Sequence, residues 1–399
     1  MFFKKQTPVS TNETKIDELL TRGVENVIPK ELGLEKLTSG KQLRIYLGID
    51  PTGAKLHLGH SVPLRKLKAF ADLGHHVIFL VGSFTAMIGD PTGRDTKREM
   101  LTREQVEQNF KDYKRQASKI LDFSKVELRY NDEWLAKMGY PEIMRLASYF
   151  TVQQMLERDM FQERLKRGEE LSPNEFMYPL MQGYDSVMLD VDCEIGGNDQ
   201  LFNMLAGRKL QKAFGKREKF VLTTRLIEGT DGRKMSKTYG NCIYLEDAPN
   251  EMFGKVMTVK DELMLTYFET LTDFSPERIT EILASHPKEA KMALAEELVR
   301  MYHGESAAQK AKSDFTAAFS EGGVPSDVQE IHATPGVLIV DELIQAKVVD
   351  SKSEWRRLVD AGAVKNADTG EKISDATVTV EKTIILKVGK HRFVKIKIL

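Results

Sequence analysis

The chain has 399 residues and a formal net charge of −1, so it is too long for one ordinary core and is not a uniformly basic nucleic-acid binder. No apolar segment approaches the roughly 20 residues that span a bilayer, which predicts no membrane segment. The two cysteines, Cys193 and Cys242, have no metal-ligand or redox spacing. They are predicted to be unlinked, buried or inert thiols in a cytoplasmic protein.

The first part of the chain alternates strands and helices. Residues 43–49 predict a short apolar strand, and the helix that follows has an apolar stripe ending at Gly74. Residues 76–81 form a continuous apolar run, which is typical of a strand buried on both faces. Strand, helix and strand in this order predict a right-handed βαβ unit and therefore a parallel sheet.

Further along, two capping boxes predict helix starts, one at Thr102 with Gln105 and one at Ser172 with Glu175. In residues 189–195 apolar side chains alternate with acids, which predicts a strand. Helices alternating with buried strands are typical of a doubly wound α/β domain.

After residue 247 the pattern becomes helical, with helices predicted at 251–257, 262–271, 276–284 and 287–302. Two short helices, near 340–346 and 353–361, and a β-rich end follow a turn-rich stretch. The predicted organisation is an N-terminal extension (1–31), a Rossmann-like doubly wound parallel-sheet domain (32–246), an α-helical domain (247–319), a linker (320–335) and a small α+β domain (336–399).

A cluster that carries chemistry follows the first strand. Asp50-Pro51-Thr52-Gly53 precedes His57-Leu58-Gly59-His60, which stands at the start of a helix. A helix N-terminus favours phosphate, and residues three apart place both imidazoles on one side of the first turn. Gly59 lets a flat ring approach the backbone. The cluster predicts a nucleotide with its phosphates at this turn, and the alternative is a solvated polar helix start.

A second cluster is the segment 232–238, Gly-Arg-Lys-Met-Ser-Lys-Thr. Lys234 and Lys237 are point charges on flexible stems, which can move onto a departing pyrophosphate. The alternative is a solvated basic loop.

Together the two clusters resemble the signature motifs of class I aminoacyl-tRNA synthetases, in the right order and with a whole catalytic domain between them. Leu58 stands where isoleucine is more familiar, and Thr238 where serine is. The resemblance implies that transition-state charge is stabilised by His57, His60, Lys234, Lys237 and Thr238.

Tyr178, Gln182 and Asp185 lie at i, i+4 and i+7 of the helix predicted from Ser172, so they share one face of an otherwise apolar helix. They must face something polar, and a buried structural hydrogen-bond network is the alternative to a binding site. The spacing resembles the Tyr-x-x-x-Gln-x-x-Asp element of tyrosyl-tRNA synthetases.

That resemblance implies a role for each matching position. Asp185 would receive the substrate phenol, and Tyr46 would contact the same hydroxyl. The substrate ammonium would be held by Tyr178, Gln182 and Asp90, with Asp50 near both substrates and Gln200 by the reacting carboxylate. The implied ATP site comprises Gly48, Thr52, His57, Gly59, His60, Gly197, Asp199 (on the ribose hydroxyls) and Lys237. Arg94 and Arg98 would contact pyrophosphate or the tRNA acceptor end, and the alternative is a surface charge pair.

The C-terminal block predicts an RNA partner. From Lys382 to Leu399 there are six Lys or Arg residues and no acid, which suits a phosphate backbone; the alternative is a hairpin protected against aggregation by lysines. The stretch Trp355 to Val364 resembles the core of a small RNA-binding module that commonly ends bacterial tyrosyl-tRNA synthetases. The resemblance therefore extends from about Leu32 to the end.

For the whole chain the resemblance implies activation of L-tyrosine with ATP, transfer to tRNA(Tyr), Mg²⁺ accompanying ATP without a dedicated metal site, and a homodimer. Three alternatives stay open: a tryptophanyl-tRNA synthetase, a small-molecule nucleotidyltransferase and a non-catalytic RNA-binding protein. Asp185 with Tyr46 argues against the first, the RNA-binding tail against the second and the intact motifs against the third.

Overall fold

The computed structural model describes residues 8–53, 55–91, 101–236, 239–319, 328–389 and 392–398. The strands are β1 (Val24–Ile28), β2 (Arg44–Ile49), β3 (His76–Val81), β4 (Glu127–Tyr130), β5 (Cys193–Gly197), β6 (Phe220–Thr224), β7 (Gln329–Ala333), β8 (Val364–Asn366), β9 (Ile384–Val388) and β10 (Arg392–Ile398). The helices are α1 (Glu13–Thr21), α2 (Lys30–Thr38), α3 (Leu58–Asp72), α4 (Thr85–Ile88), α5 (Arg103–Ala117), α6 (Asp132–Leu135), α7 (Tyr140–Ala147), α8 (Val152–Leu156), α9 (Asp159–Lys166), α10 (Pro173–Leu189), α11 (Leu201–Ala213), α12 (Pro249–Met257), α13 (Met264–Leu271), α14 (Pro276–Leu283), α15 (Pro287–His303), α16 (Glu305–Phe319), α17 (Ile339–Gln345) and α18 (Lys352–Asp360).

The first of two compact units contains a six-stranded sheet in the order β1-β6-β5-β2-β3-β4. Strands β6, β5, β2, β3 and β4 are parallel, and β1 alone runs antiparallel at the edge. The chain winds outward from β2 through β3 to β4, and then from β5 through β6 on the other side. The strand order therefore reverses between β2 and β5, and the carboxyl ends of these strands form the crevice where ligands bind in such sheets. The predicted doubly wound α/β fold class is confirmed.

The predicted helix starts are confirmed by their hydrogen bonds. Gln105 N donates to Thr102 Oγ1 at 3.3 Å, and Thr102 N donates to Gln105 Oε1 at 2.8 Å. Helix α10 begins with the second box, in which Ser172 N donates to Glu175 Oε1 at 2.9 Å. Because α10 is fixed at its N-terminus, the face that carries Tyr178, Gln182 and Asp185 is fixed as well.

The strand predicted at residues 189–195 needs correction. Helix α10 runs to Leu189, and strand β5 begins only at Cys193 and includes Gly197. Asp190 ends the helix in the left-handed conformation, with a φ of 46°. The next residues form a turn in which the Asp192 carboxylate accepts Arg44 N at 2.9 Å. The alternation of apolar and acidic residues thus spanned the end of a helix, a turn and the start of a strand.

Part of the predicted N-terminal extension belongs to the main sheet. Strand β1 lies within residues 1–31, and Val24 to Ile28 pair with Thr224 to Val221 of β6. A strand in this position covers an edge that would otherwise present unpaired backbone groups. Gly23 and Pro29 bracket the short run from Val24 to Ile28, but its partner lies nearly 200 residues away, and no local pattern indicates that pairing.

The second unit comprises Asp247–Thr258 and Ser285–Leu399, and the first comprises Met1–Glu246 and Val259–Ala284. Helices α12, α15 and α16 pack against one another in the second unit. Helices α13 and α14 belong to the first unit, where Tyr267 Oη donates to Glu228 O at 2.7 Å. The four helices predicted between 251 and 302 are all present, but they do not form a single block as the boundary 247–319 supposed.

The C-terminal residues form a four-stranded sheet in the order β7-β10-β9-β8, packed with α17 and α18 around the buried Trp355. Strand β7 lies inside the predicted linker 320–335. It pairs in parallel with Val394 to Ile398 of β10. The sequence did not indicate this strand, because its partner is distant and its own surroundings are rich in turn residues. Residues 320–327 lie outside the described part of the chain, and the domain boundaries as a set stay a prediction.

Cys193 and Cys242 are both buried and unlinked, as predicted. Among the residues that the structure describes, no helix is both long and apolar enough to cross a bilayer.

Candidate active site

A cavity of about 310 Å³ opens in the first unit, beside the carboxyl ends of β2 and β5. This is the switch point of the sheet, where the strand order reverses. The cavity brings together predicted residues from five separate stretches of the chain. They are Tyr46, Gly48, Asp50, Thr52, His60, Asp90, Tyr178, Gln182, Asp185, Gly197, Asp199 and Gln200.

The deep end of the cavity is built around Asp185, which is 3% exposed. Its Oδ1 accepts Trp134 Nε1 at 2.8 Å, and its Oδ2 accepts Asn131 Nδ2 at 3.2 Å. Burial raises the pKa of Asp185 well above its ordinary value, and these two hydrogen bonds oppose that shift. The carboxylate is therefore an acceptor in a dry environment, with a donor already holding each of its oxygens.

The sequence analysis did not predict Asn131 and Trp134 as site residues. A usable signal existed, because Asn131 directly follows strand β4 and polar residues at the carboxyl ends of parallel strands meet at one edge of the sheet. Trp134 lies one turn later, on α6.

Tyr46 lines the same cavity as Asp185 and is fully buried on β2. Its hydroxyl is 2.9 Å from Ser186 Oγ. Burial raises the pKa of Tyr46, and the neighbouring Glu194 carboxylate adds to the shift. Tyr46 is thus a neutral phenol, with one hydrogen to donate and lone pairs to accept.

A second group of polar side chains surrounds Asp50. Its Oδ2 accepts Tyr178 Oη at 2.8 Å, and its Oδ1 accepts Thr85 Oγ1 at 2.7 Å. This packing requires glycine at position 82, because a Cβ there would lie 1.9 Å from Asp50 Oδ1. Burial, followed by the charges of Asp50 and Asp90, raises the pKa of Tyr178 well above its ordinary value. The carboxylates give this side of the cavity a potential that favours a cation.

Two predicted glutamines contact acids rather than one another. Gln200 Nε2 donates to Asp90 Oδ2 at 2.7 Å, and Gln182 Nε2 donates to Glu194 Oε1 at 3.1 Å. The amide hydrogens of Gln182 are therefore directed away from an ammonium, and its carbonyl oxygen is the atom that suits one.

The mouth of the cavity is the start of α3. His57 is the N-cap residue, and its backbone N–H donates to His60 Nδ1 at 3.2 Å. Because Nδ1 accepts, the proton of the neutral His60 ring resides on Nε2, a donor. The two imidazoles lie with centroids 3.9 Å apart, and a Cβ on Gly59 would lie only 3.0 Å from the His57 ring.

The lysine segment reaches the same mouth. Lys234 Nζ is 3.2 Å from Asp199 Oδ2, and Met235 Sδ lies 3.9 Å from the position that a Cβ on Gly59 would take. The chain beyond the segment is hydrogen-bonded to the start of α3, where Leu58 N donates to Ile243 O at 2.9 Å. His60, Asp185 and Asp199 thus line one cavity, and Lys234 reaches it through Asp199.

The buried Asn241 side chain holds this segment in place. Its Oδ1 accepts Ser236 N at 2.9 Å, and its Nδ2 donates to Asp231 Oδ1 at 2.8 Å and to Lys234 O at 3.2 Å. Hydrogen bonds from Asn241 and from the Arg233 backbone hold the pKa of Asp231 well below its ordinary value. Asn241 lies outside the lysine motif, so the motif alone did not predict its role.

Four predicted site residues, Arg94, Arg98, Lys237 and Thr238, lie outside the described residues.

A doubly wound sheet whose switch-point cavity joins a helix N-terminus to buried acceptors defines a nucleotide-binding α/β enzyme. The family described as "tRNA synthetases class I (W and Y)" matches residues 38–320, and the chain belongs to this family. The family uses ATP.

Curated relatives cover nearly the whole chain. The tyrosine–tRNA ligase of Thermotoga maritima is 45% identical over 388 residues, which are 95% of this chain and 96% of that protein. Tyrosine–tRNA ligase 2 of Vibrio cholerae is 44% identical over 386 residues, 95% of this chain and 97% of that protein. Among solved structures, a C-terminally truncated mitochondrial tyrosyl-tRNA synthetase of Aspergillus nidulans is 27% identical with a TM-score of 0.65, covering 76% of this chain and 94% of that one.

Proposed function

We propose that this chain activates L-tyrosine with ATP and transfers the tyrosyl group to the 3′-terminal ribose of tRNA(Tyr). The observation that carries the proposal is the buried Asp185 carboxylate, held by Trp134 and Asn131, with the Tyr46 hydroxyl beside it. Tryptophan, the other substrate of the family, has an indole N–H but no hydroxyl for Tyr46 to contact. Relatives that carry the tyrosine name support the same choice.

In the first step a carboxylate oxygen of tyrosine attacks the α-phosphorus of ATP. The bond from that phosphorus to the bridging oxygen breaks, so that tyrosyl-adenylate and pyrophosphate form. Tyr178, Asp90 and the carbonyl oxygen of Gln182 hold the substrate ammonium, with Asp50 near both substrates, and Gln200 positions the carboxylate. The donors at the mouth, His60 Nε2–H and Lys234, stabilise the charge that develops on the phosphates, and in this proposal His57, Lys237 and Thr238 assist them.

ATP is proposed to lie across the carboxyl ends of β2 and β5. Gly48, Gly59 and Gly197 leave room for the nucleotide, Thr52 contacts it at the turn after β2, and Asp199 accepts its ribose hydroxyls. In the structure Asp199 is paired with Lys234. ATP binding would therefore displace Lys234 from Asp199 and leave its ammonium to bind a phosphate.

The predicted Mg²⁺ would travel with ATP and neutralise part of the phosphate charge. Among the described residues no three His, Cys, Asp or Glu side chains are grouped as a metal site. Arg94 and Arg98 complete the proposal as contacts to pyrophosphate or to the acceptor end.

In the second step a terminal ribose hydroxyl of tRNA attacks the tyrosyl carbonyl, and AMP leaves. The C-terminal module is proposed to bind the tRNA outside its acceptor stem. Arg356 and Arg357 are exposed on α18, and Lys365 and Lys382 are exposed nearby in sequence. The basic stretch from Lys382 to Leu399 is less available to bind phosphates than its composition suggested. Lys395 and Lys397 both pair with Glu330, at 3.3 and 2.6 Å.

A homodimer is the proposed assembly. Five large apolar side chains that are 44–74% exposed fall on the successive helices α7, α8, α9 and α10, namely Tyr140, Met144, Val152, Leu165 and Met188. Contiguous exposed apolar patches mark protein–protein interfaces, and we propose that these helices form such a surface. The cytoplasm is the proposed location, supported by the two unlinked cysteines.

The test is amino-acid-dependent ATP–pyrophosphate exchange with tyrosine, tryptophan, phenylalanine and no amino acid. Exchange with tyrosine alone is the expected result. Exchange with tryptophan would reassign the substrate within the family, and the absence of exchange with every amino acid would contradict the proposed activity.

A further inference from the structure

Behind Tyr46 lies a buried charged network that no proposed step uses. Lys219 Nζ donates to Ser186 Oγ at 2.7 Å and also contacts Glu194 Oε2. Ser186 Oγ is in turn 3.3 Å from Glu194 Oε2 and 2.9 Å from the Tyr46 hydroxyl. All four residues are at most 2% exposed.

The surrounding backbone is shaped to admit this network. Helix α11 passes over it at Gly207, where a Cβ would lie 2.6 Å from Ser186 Oγ and 2.7 Å from Lys219 Nζ. Burial lowers the pKa of Lys219, and the Glu194 carboxylate opposes the shift. A buried ion pair is a weak source of stability, since desolvation offsets its attraction. Its position one hydrogen bond behind a substrate-facing phenol suggests another role.

The donors and acceptors of the network fix one hydrogen bond and leave two directions for the next. An ammonium has only hydrogens to offer, so Ser186 Oγ must accept from Lys219. The single hydroxyl hydrogen of Ser186 can then go to Glu194, at 3.3 Å, or to Tyr46, at 2.9 Å. The second choice leaves the hydrogen of Tyr46 to go either to the cavity or to the Glu194 carboxylate, which also lies within hydrogen-bonding reach of the Tyr46 hydroxyl.

The proposed substrate requires that choice. If the phenol of bound tyrosine donates to the Asp185 carboxylate, its oxygen presents only lone pairs to Tyr46. Tyr46 must then donate to the substrate and accept from Ser186. An unbroken series of donors would run from Lys219 through Ser186 and Tyr46 to the substrate and end at Asp185.

We propose that Lys219 and Ser186 are positioning residues that orient the Tyr46 hydroxyl as a donor to the substrate phenol and so contribute to the choice of tyrosine over phenylalanine. The inference rests on the proposed function. Phenylalanine has no oxygen for Tyr46 to donate to, so the orientation of Tyr46 favours only the hydroxylated substrate.

The experiment measures kcat/KM for tyrosine and phenylalanine by ATP–pyrophosphate exchange in the wild type, Ser186→Ala, Tyr46→Phe and the double variant. Ser186→Ala is expected to lower the tyrosine-to-phenylalanine ratio about tenfold, the effect of losing about one hydrogen bond, through the tyrosine value alone. Because Ser186 acts through Tyr46, the double variant should match Tyr46→Phe to within about twofold.

The matched control is Thr270→Val, which removes a hydroxyl that is buried in the same unit, on α13, and donates only to Thr266 O at 2.6 Å. Its ratio should equal that of the wild type. An unchanged ratio in Ser186→Ala, an equal loss in the control, or losses that multiply in the double variant would each overturn the inference.

Two further results keep the test decisive. A wild type without tyrosine-dependent exchange contradicts the proposed function, whereas normal exchange with an unchanged Ser186→Ala ratio contradicts the positioning role alone. If Ser186→Ala does not fold, Lys219→Met combined with Glu194→Gln removes both charges together and should lower the same ratio. A ratio equal to that of the wild type in this variant would overturn the inference.

Discussion

The two ends of the cavity are built differently. At the deep end, Asp185 and Tyr46 are 3% and 0% exposed, and each is bonded to another buried side chain. At the mouth, the Lys234 side chain is 51% exposed, and its partner Asp199 is 29% exposed. Recognition of a small hydroxyl requires side chains with a fixed orientation. Phosphate groups that move during the reaction require charged side chains that can move with them. We therefore propose that the deep end sets specificity and the mouth sets the rate.

The largest expected effect comes from a substitution at the deep end. Asp185→Ala should lower the preference for tyrosine over phenylalanine by about a hundredfold or more, because it removes a charged acceptor and leaves the Trp134 and Asn131 donors unpaired. Exchange kinetics with the two amino acids measure it, and Asp185→Asn, which keeps one acceptor oxygen, should fall between. A preference equal to that of the wild type would remove Asp185 from the pocket.

Breaking the mouth should instead change the rate. His60→Ala is expected to lower kcat for adenylate formation about a hundredfold, as for loss of one transition-state donor, while the KM for tyrosine changes little. Single-turnover adenylation at varied tyrosine concentration separates the two parameters. Comparable changes in both would argue that His60 binds substrate rather than the transition state.

A smaller effect is expected from loosening the lysine segment. Asn241→Ala removes the side chain that holds Ser236, Asp231 and Lys234, so Lys234 would less often lie at the mouth. We expect kcat to fall about tenfold, on the scale of one or two hydrogen bonds, with the tyrosine-to-phenylalanine ratio unchanged. A changed ratio would contradict the proposal that the mouth sets the rate and the deep end sets specificity.

The smallest expected effect is on stability, and it tests the environment of Asp185 at the deep end. The folded-state pKa of Asp185 lies above its ordinary value, so the folded protein binds this proton more tightly than the unfolded chain. Stability from this group is therefore lost as pH rises from near 3.8 toward the raised pKa. Relative to Asp185→Asn, which does not titrate, the wild type should lose a few degrees of Tm over this window.

Melting both proteins across that pH range is the measurement. A difference in Tm that stays constant with pH would show that burial does not raise the pKa of Asp185.

Much of the site was predictable because its signals are local. Thr102, Ser172 and their partners three residues later define helix starts, and the spacing of Tyr178, Gln182 and Asp185 alone places them on one face. The same local logic failed at residues 189–195, where alternation crossed from a helix through a turn to a strand. It also overlooked β1 and β7, whose partners are distant in the chain.

The sequence by itself determined the doubly wound class, the histidine and lysine motifs and the face of α10 that carries Asp185, since capping and periodicity act over a few residues. Only the tertiary structure decided what supports these groups. Trp134 meets Asp185 across 51 residues, and Lys219 meets Ser186 across 33, because sheet order and the close approach of α11 bring them together. Hydrogen bonds between distant segments leave no periodic trace in the chain, and here they hold the residues that we propose select the substrate.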